Sequence, residues 1–319
     1  MTFAFVFPGQ GSQSVGMLAS LSGTDPVVGA AFDEASAALG YDLWHLVQEG
    51  PPERLNKTEC QQPAMLAAGI ATARLWARRG GGDPTVVAGH SLGEFTALVA
   101  AGALEFSTAI ALVKFRGQVM QEAVPAGVGA MAAVLGLEDA DVVAACAEAS
   151  AVGIVEAVNF NSPGQVVIAG EAAAVQRAIE IARVKGAKRA VTLPISVPSH
   201  SSLMNGAAER FAKRLAEVEI KAPRLRYVSA VDAVAHSDPA DIRALLGRQM
   251  ARPVRWRDTV RALAALGIGQ LIECGPGKVL TGLNKRVDQV TGVTFTALED
   301  PAALETALVT TKGTANARE

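Results

Sequence analysis

Apolar residues along this chain fall into two kinds of segment. Short runs rich in aromatic and β-branched residues occupy 2–7, 85–88, 227–229 and 270–273 and predict strands. Longer stretches carry apolar residues at helical spacing and predict helices over 63–78, 92–101, 108–123, 204–218 and 254–266. Alternation of the two predicts an α/β protein with a mainly parallel sheet. The middle of the chain follows another order. Strand 129–137, helix 138–150, strands 153–158 and 165–169, helix 171–185 and strand 188–193 make βαββαβ, the ferredoxin-like pattern. Turn-forming Pro125-Ala126-Gly127 precedes it and the stretch from Pro194 to Pro198 follows it. The expected organisation is a catalytic domain built from 1–124 and 199–305, with a subdomain inserted at 125–198. A cleft between them is the natural place for a substrate. Residues 306–319 are read as a polar, frayed C-terminal tail.

Composition narrows the class. The chain has 319 residues, 50% hydrophobic and 19% charged, enough for a sizeable globular core. A net charge of −2 gives no electrostatic case for nucleic acid or a membrane surface. Glu105 and Lys114 interrupt the longest apolar candidate for a membrane span. The opening Met1-Thr2-Phe3-Ala4-Phe5-Val6-Phe7 has no basic leader and meets Pro8-Gly9 at once, so it reads as a strand and not as a signal peptide. Cys60, Cys146 and Cys274 are widely spaced and odd in number, which points to reduced thiols in a cytoplasm, without a zinc site or disulfide framework.

The chemistry centres on Gly89-His90-Ser91-Leu92-Gly93, set directly between a predicted strand and a predicted helix. A bare G-x-S-x-G occurs by chance in a glycine-rich chain. In a strand–turn–helix setting it presents a serine hydroxyl at the apex of a sharp turn, as a nucleophile for an acyl group. Such a serine needs a base, and there are four histidines. His90 lies inside the turn, His45 in the apolar run Leu43-Trp44-His45-Leu46 where packing is expected, and His236 in a loop. Elimination leaves His200, in the proline-stiffened Val197-Pro198-Ser199-His200; the alternative is a surface-loop histidine. Activity is expected to fall as pH drops through the histidine's titration, in the range of about 5 to 8. An oxyanion would take one backbone N–H from Leu92, the residue after the nucleophile, and a second from the turn Pro8-Gly9-Gln10-Gly11. That turn lacks the third glycine of a dinucleotide loop, and Gly275-Pro276-Gly277-Lys278-Val279 lacks Walker A spacing. Arg116 falls on the apolar stripe of the helix 108–123, between Val113 and Met120. A guanidinium there has two readings: one half of a buried ion pair, or a receptor for a substrate carboxylate.

Six ordered motifs together carry a resemblance that covers nearly the whole chain. They are Phe7-Pro8-Gly9-Gln10-Gly11-Ser12-Gln13, Gly89-His90-Ser91-Leu92-Gly93-Glu94, Lys114-Phe115-Arg116-Gly117, Asn159-Phe160-Asn161-Ser162-Pro163-Gly164-Gln165, Val197-Pro198-Ser199-His200 and Gly275-Pro276-Gly277-Lys278-Val279-Leu280. The sequence resembles the malonyl-CoA:acyl carrier protein transacylases of bacterial fatty-acid synthesis and, more distantly, the acyltransferase domains of polyketide synthases. The resemblance implies an α/β-hydrolase-like core with a ferredoxin-like insert, Ser91 as nucleophile, His200 as base and Arg116 as clamp for the malonyl carboxylate. It also implies Gln10 and Leu92 as oxyanion donors, and the backbone carbonyl of Gln249 as the group that orients the histidine. One departure is Ser229-Ala230, where relatives often carry asparagine. The partners implied are malonyl-CoA and a phosphopantetheinylated acyl carrier protein, with no cofactor or metal; a monomer is the expectation, and the sequence does not decide the oligomeric state. Lys188 and Arg189 are candidate contacts for an acidic carrier. The alternatives are a transferase for another acyl unit in polyketide synthesis, a serine thioesterase or esterase, and a carrier-binding module without catalysis.

Overall fold

The computed structural model describes residues 2–125, 127–195 and 197–313. In chain order its strands are β1 (Phe3–Phe7), β2 (Val86–Gly89), β3 (Gly129–Leu135), β4 (Val155–Ser162), β5 (Gln165–Glu171), β6 (Arg189–Thr192), β7 (Arg226–Val228), β8 (Ala235–His236), β9 (Gln270–Glu273) and β10 (Thr294–Ala297). Six of them form one sheet in the order β10-β9-β1-β2-β7-β8, parallel throughout except for the short β7–β8 pair. The protein is α/β with a mixed, mostly parallel sheet.

β1 shows why helices cover both faces of that sheet. All five of its residues are buried. Phe3, Phe5 and Phe7 point to one side and pack with Leu75 and Trp76 of the helix Thr58–Arg78. Ala4 and Val6 point to the other, against Trp256, Val260 and Leu263 of the helix Trp256–Ala265. Strict alternation of side chains across a strand makes this division unavoidable, and each buried phenylalanine contributes roughly 1.5–3 kcal/mol.

The remaining four strands form a second, antiparallel sheet in the order β4-β5-β3-β6. Its helices, Asp139–Ala149 and Ala172–Val184, pack over Ala132, Val134, Val166 and Ile168 on one face. The opposite face carries Met131, Val158, Val167 and Ala169, with Leu193 and Ile195 against it. This sheet is fastened to the first unit along β4. Phe160 donates its N–H to Val254 O at 2.9 Å, Val254 donates to Val158 O at 2.8 Å, and Arg257 pairs with Asp139 at 2.8 Å.

Two expectations change at the C-terminal end. β10 extends the sheet at an edge where the apolar pattern alone gave no strand. The stretch from 306, read as a polar tail, is helical as far as Gly313 in the helix Pro301–Gly313. Leu304, Ala307 and Leu308 of that helix are buried in the main core, so apolar burial overrides the polar character of its outer residues. Residues 314–319 lie outside the described residues.

Candidate active site

β2 ends at Gly89, and the helix Gly93–Ala100 begins four residues later. Between them Ser91 adopts φ 52°, a left-handed conformation that non-glycine residues take at a cost of roughly 1–3 kcal/mol. The surroundings enforce it. His90 donates its N–H to Phe7 O at 3.0 Å, and Gly93 and Glu94 close the turn onto His90 O and Ser91 O at 2.9 and 3.0 Å. A Cβ on Gly89 would lie 1.9 Å from the carbonyl carbon of Gly93, and one on Gly93 would lie 2.1 Å from Phe7 O. Both positions are therefore closed to any side chain. Gly9 makes a similar approach, with space for a Cβ blocked at 2.6 Å by His90 O, so the turn after β1 rests on the elbow.

Ser91 Oγ lies 2.8 Å from His200 Nε2. His200 Nδ1 lies 3.0 Å from both Gln249 O and Arg252 O. Two carbonyls can only accept, so Nδ1 carries the proton and Nε2 is left as an acceptor for the serine hydroxyl. His200 itself has φ 69°, and its N–H donates to Met250 O at 2.8 Å. Burial and the nearby Arg116 cation lower its pKa from 6.5 to about 3, against the opposing pull of the Gln249 and Arg252 carbonyls.

Arg116 is 0% exposed, on the helix Phe106–Glu122. Its Nη1 donates to Gln62 Oε1 at 2.9 Å, and its Nη2 to Gln249 Oε1 at 2.9 Å and to Ser91 Oγ at 3.2 Å. Nε has no hydrogen-bond partner, and the guanidinium stands 5.5 Å from the Phe95 ring centroid. Among the described residues no carboxylate lies within ion-pair distance of it. Of the two readings left open by the sequence, the geometry removes the direct ion pair. Burial lowers its pKa from 12.5 to about 10, with Glu94 pulling the other way, so it stays a cation at neutral pH.

A cleft of about 620 Å³ opens beside this cluster, between the six-stranded unit and the outer face of the four-stranded sheet. Gln10, Gln61, His90, Asn161, Ile195 and Leu280 are among its walls. No hydrogen bond is made by the backbone N–H groups of Gln10 or Leu92 to any described residue. Together the groups can accept a proton from a serine, hold an anionic substituent at that serine, and donate to an oxyanion.

An acyl transferase domain family matches residues 4–298. The malonyl CoA-acyl carrier protein transacylase of Salmonella typhimurium is 54% identical over 306 residues, covering 96% of this chain and 98% of that protein. The crystal structure of an acyl carrier protein S-malonyltransferase from Vibrio cholerae superimposes with a TM-score of 0.93 at 54% identity, covering 96% and 100% of the two chains. A malonyl-transacylase solved in complex with a type II polyketide acyl-carrier protein gives a TM-score of 0.95 at 52% identity, covering 97% and 100%. The chain belongs to the acyl transferase family, among the malonyl CoA-acyl carrier protein transacylases.

For this family member, Ser91, His200, Arg116 and Gln249 are brought together from four separate stretches of chain. Arg189 begins the edge strand β6 and Lys188 precedes it, and both are exposed. Arg189 pairs with Leu135, which pairs with Gln165 on the cleft wall. His90 Nε2 donates to Asn161 Oδ1 at 2.9 Å, and its ring lies tilted against Trp256 at 5.6 Å between centroids, in keeping with a structural role. His45 differs from expectation: it is exposed, because the short helix Leu43–Glu49 buries Leu43, Leu46 and Val47 instead. His236 sits in β8 and pairs with Asp232. No group of three or more potential metal ligands occurs among the described residues, and no described helix is long and apolar enough to cross a membrane.

Three features escaped the sequence reading: Gln62, Glu94 and the side chain of Gln249. The signal available was polarity out of place. Gln61-Gln62 lie near the start of the long helix Thr58–Arg78 and Glu94 opens another, but nothing local says which buried partner each meets.

The lowered His200 pKa moves the expected loss of activity toward lower pH. A lowered histidine pKa means the neutral, proton-accepting form persists as pH falls, until protonation competes near the lowered value. The acid limb of kcat/KM, which reports the free enzyme, should therefore lie well below 6.5. Initial rates with malonyl-CoA from pH 4.5 to 8 check this; a limb at 6.5 or above would contradict it.

Proposed function

We propose that this protein transfers the malonyl group of malonyl-CoA to the phosphopantetheine thiol of an acyl carrier protein, through an ester on Ser91. Ser91 attacks the thioester while His200 Nε2 takes its proton, and the backbone N–H groups of Gln10 and Leu92 receive the oxyanion. The same histidine returns the proton to the departing CoA thiolate. His200 then deprotonates the carrier thiol, whose sulfur attacks the ester and frees Ser91. Arg116 holds the malonyl carboxylate throughout. The observation that carries this reading is the pairing of a 2.8 Å Ser91–His200 contact with a buried, carboxylate-free guanidinium beside the same hydroxyl. A thioesterase has no use for such a cation next to its nucleophile. The division into a catalytic unit, 1–124 and 199–305, and a ferredoxin-like insert, 125–198, belongs to the same proposal, supported by the β4-β5-β3-β6 order. Three buried free thiols fit a reducing cytoplasm.

Incubation with malonyl-CoA should add one malonyl mass to the peptide containing Ser91, and Ser91→Ala should abolish both label and transfer. A label on Cys60, Cys146 or Cys274 would overturn the assignment.

Arg116→Ala should lower the malonyl-to-acetyl ratio of kcat/KM on the order of a hundredfold, since a charge-assisted bidentate pair in a dry site is worth roughly 3 kcal/mol. Arg116→Lys should recover only part, because an ammonium cannot present two parallel donors. An unchanged ratio on folded protein would remove the clamp.

Lys188 and Arg189 are proposed to guide the acidic carrier to the cleft rim, where Arg286 adds a third cation by donating to Gln165 Oε1 at 3.0 Å. Reversing the charge of Lys188 and Arg189 together should raise KM for the carrier several-fold while KM for malonyl-CoA stays constant, as expected of rim charges. Equal changes in both would exclude a carrier-specific role.

A further inference from the structure

Glu94 takes no part in the steps above, yet it is 1% exposed and lies in the first turn of the helix that follows the nucleophile. Its Oε2 accepts from the hydroxyls of Tyr227 and Ser229, the latter at 2.9 Å. Its Oε1 accepts from Gln249 Nε2 at 2.8 Å. Burial raises the carboxyl pKa, and these donors offset part of the rise. The backbone N–H of Ala230 adds a further donor, and a buried ionisable side chain held by so many groups calls for a reason.

The Gln249 amide supplies it. One Nε2 hydrogen goes to Ser91 O at 2.9 Å and the other to Glu94, while Oε1 accepts from Arg116 Nη2. Turning the amide over would set its N–H groups against the guanidinium and its oxygen against two acceptors. Only one orientation is satisfied. In that orientation the amide oxygen is the acceptor that holds Nη2 beside Ser91 Oγ. The main-chain carbonyl of the same residue accepts from His200. Glu94 rides on the same turn as Ser91, Gln249 ends the helix Pro239–Gln249, and Tyr227 lies on β7. The carboxyl therefore joins the helix Gly93–Ala100, the helix Pro239–Gln249 and β7.

We infer that Glu94 is a positioning residue: by fixing the Gln249 amide it aims the Arg116 guanidinium at the carboxylate of the acyl group and so sets the preference for a carboxylated donor. This rests on the roles of Ser91, His200 and Arg116 proposed above. Ser229, an unexplained departure in the sequence, becomes one of the groups that hold Glu94.

The test compares kcat/KM for malonyl-CoA and acetyl-CoA in folded Glu94→Leu and Glu94→Gln. Glu94→Leu frees the Gln249 amide and should lower the malonyl-to-acetyl ratio at least tenfold. Glu94→Gln can keep an oxygen toward Gln249 while its N–H groups meet the Tyr227 and Ser229 hydroxyl oxygens, and should hold the ratio within about threefold of wild type, less than one full hydrogen bond is worth. A purely structural role would lower both donors together and leave the ratio alone, which would overturn the inference. Should Glu94→Leu fail to fold, Gln249→Leu, which retains the main-chain carbonyl, tests the same link. It must lower the ratio at least tenfold, and an unchanged ratio would overturn the inference equally. The two levels fail differently. Absence of a malonyl adduct on Ser91 of the wild type defeats the proposed function, whereas a normal adduct with an unmoved ratio in the variants defeats only the role of Glu94.

Discussion

Burying the Arg116 guanidinium costs several kcal/mol unless its donors are met, and much of the site consists of what meets them. The acceptors are two amide oxygens, from Gln62 and Gln249, a serine hydroxyl and the face of Phe95. All are neutral. They hold the cation in place without cancelling its charge, which a direct carboxylate would do. The nearest compensating acid, Glu94, is kept one amide away through Gln249. A cation held by neutral partners retains its affinity for an arriving anion, and its field explains part of the depressed His200 pKa. His200 stays neutral mainly because it is buried, and the charged Arg116 adds to that effect.

That arrangement also places demands on the backbone. Ser91 and His200 both sit at positive φ, and each is secured by hydrogen bonds to a different element: Ser91 through its neighbours to β1, His200 to Met250. The carbonyls of Gln249 and Arg252 that orient the histidine lie just before Val254, whose N–H and carbonyl are both paired with β4 of the four-stranded sheet. His90 in the elbow meets Asn161 on the same strand. The second sheet is thus tied both to the Ser91 turn and to the segment whose carbonyls face His200, and its apolar outer face lines the cleft.

What the sequence by itself determined follows from short-range physics. Strand and helix periods, the two glycines on which the Ser91 turn depends, and the misplaced charge of Arg116 on an apolar stripe are readable because each is a rule about neighbours within one element. The succession of strands and helices along 129–193 was readable for the same reason. Helix Pro301–Gly313 was not, because its few buried residues become legible only once the core they enter exists. His45 misled likewise: an apolar run does not say which of its faces turns inward.

Tertiary structure alone decided who meets whom. That Arg116 finds glutamine oxygens instead of a carboxylate, that two carbonyls and not one fix the His200 tautomer, and that Glu94 reaches Gln249 across 155 residues of chain are facts about distance in space. Polar burial is settled by partners, and partners from different elements leave no periodic trace in a sequence. Periodicity determines which residues are buried, and only the packed fold determines what a buried charge will face.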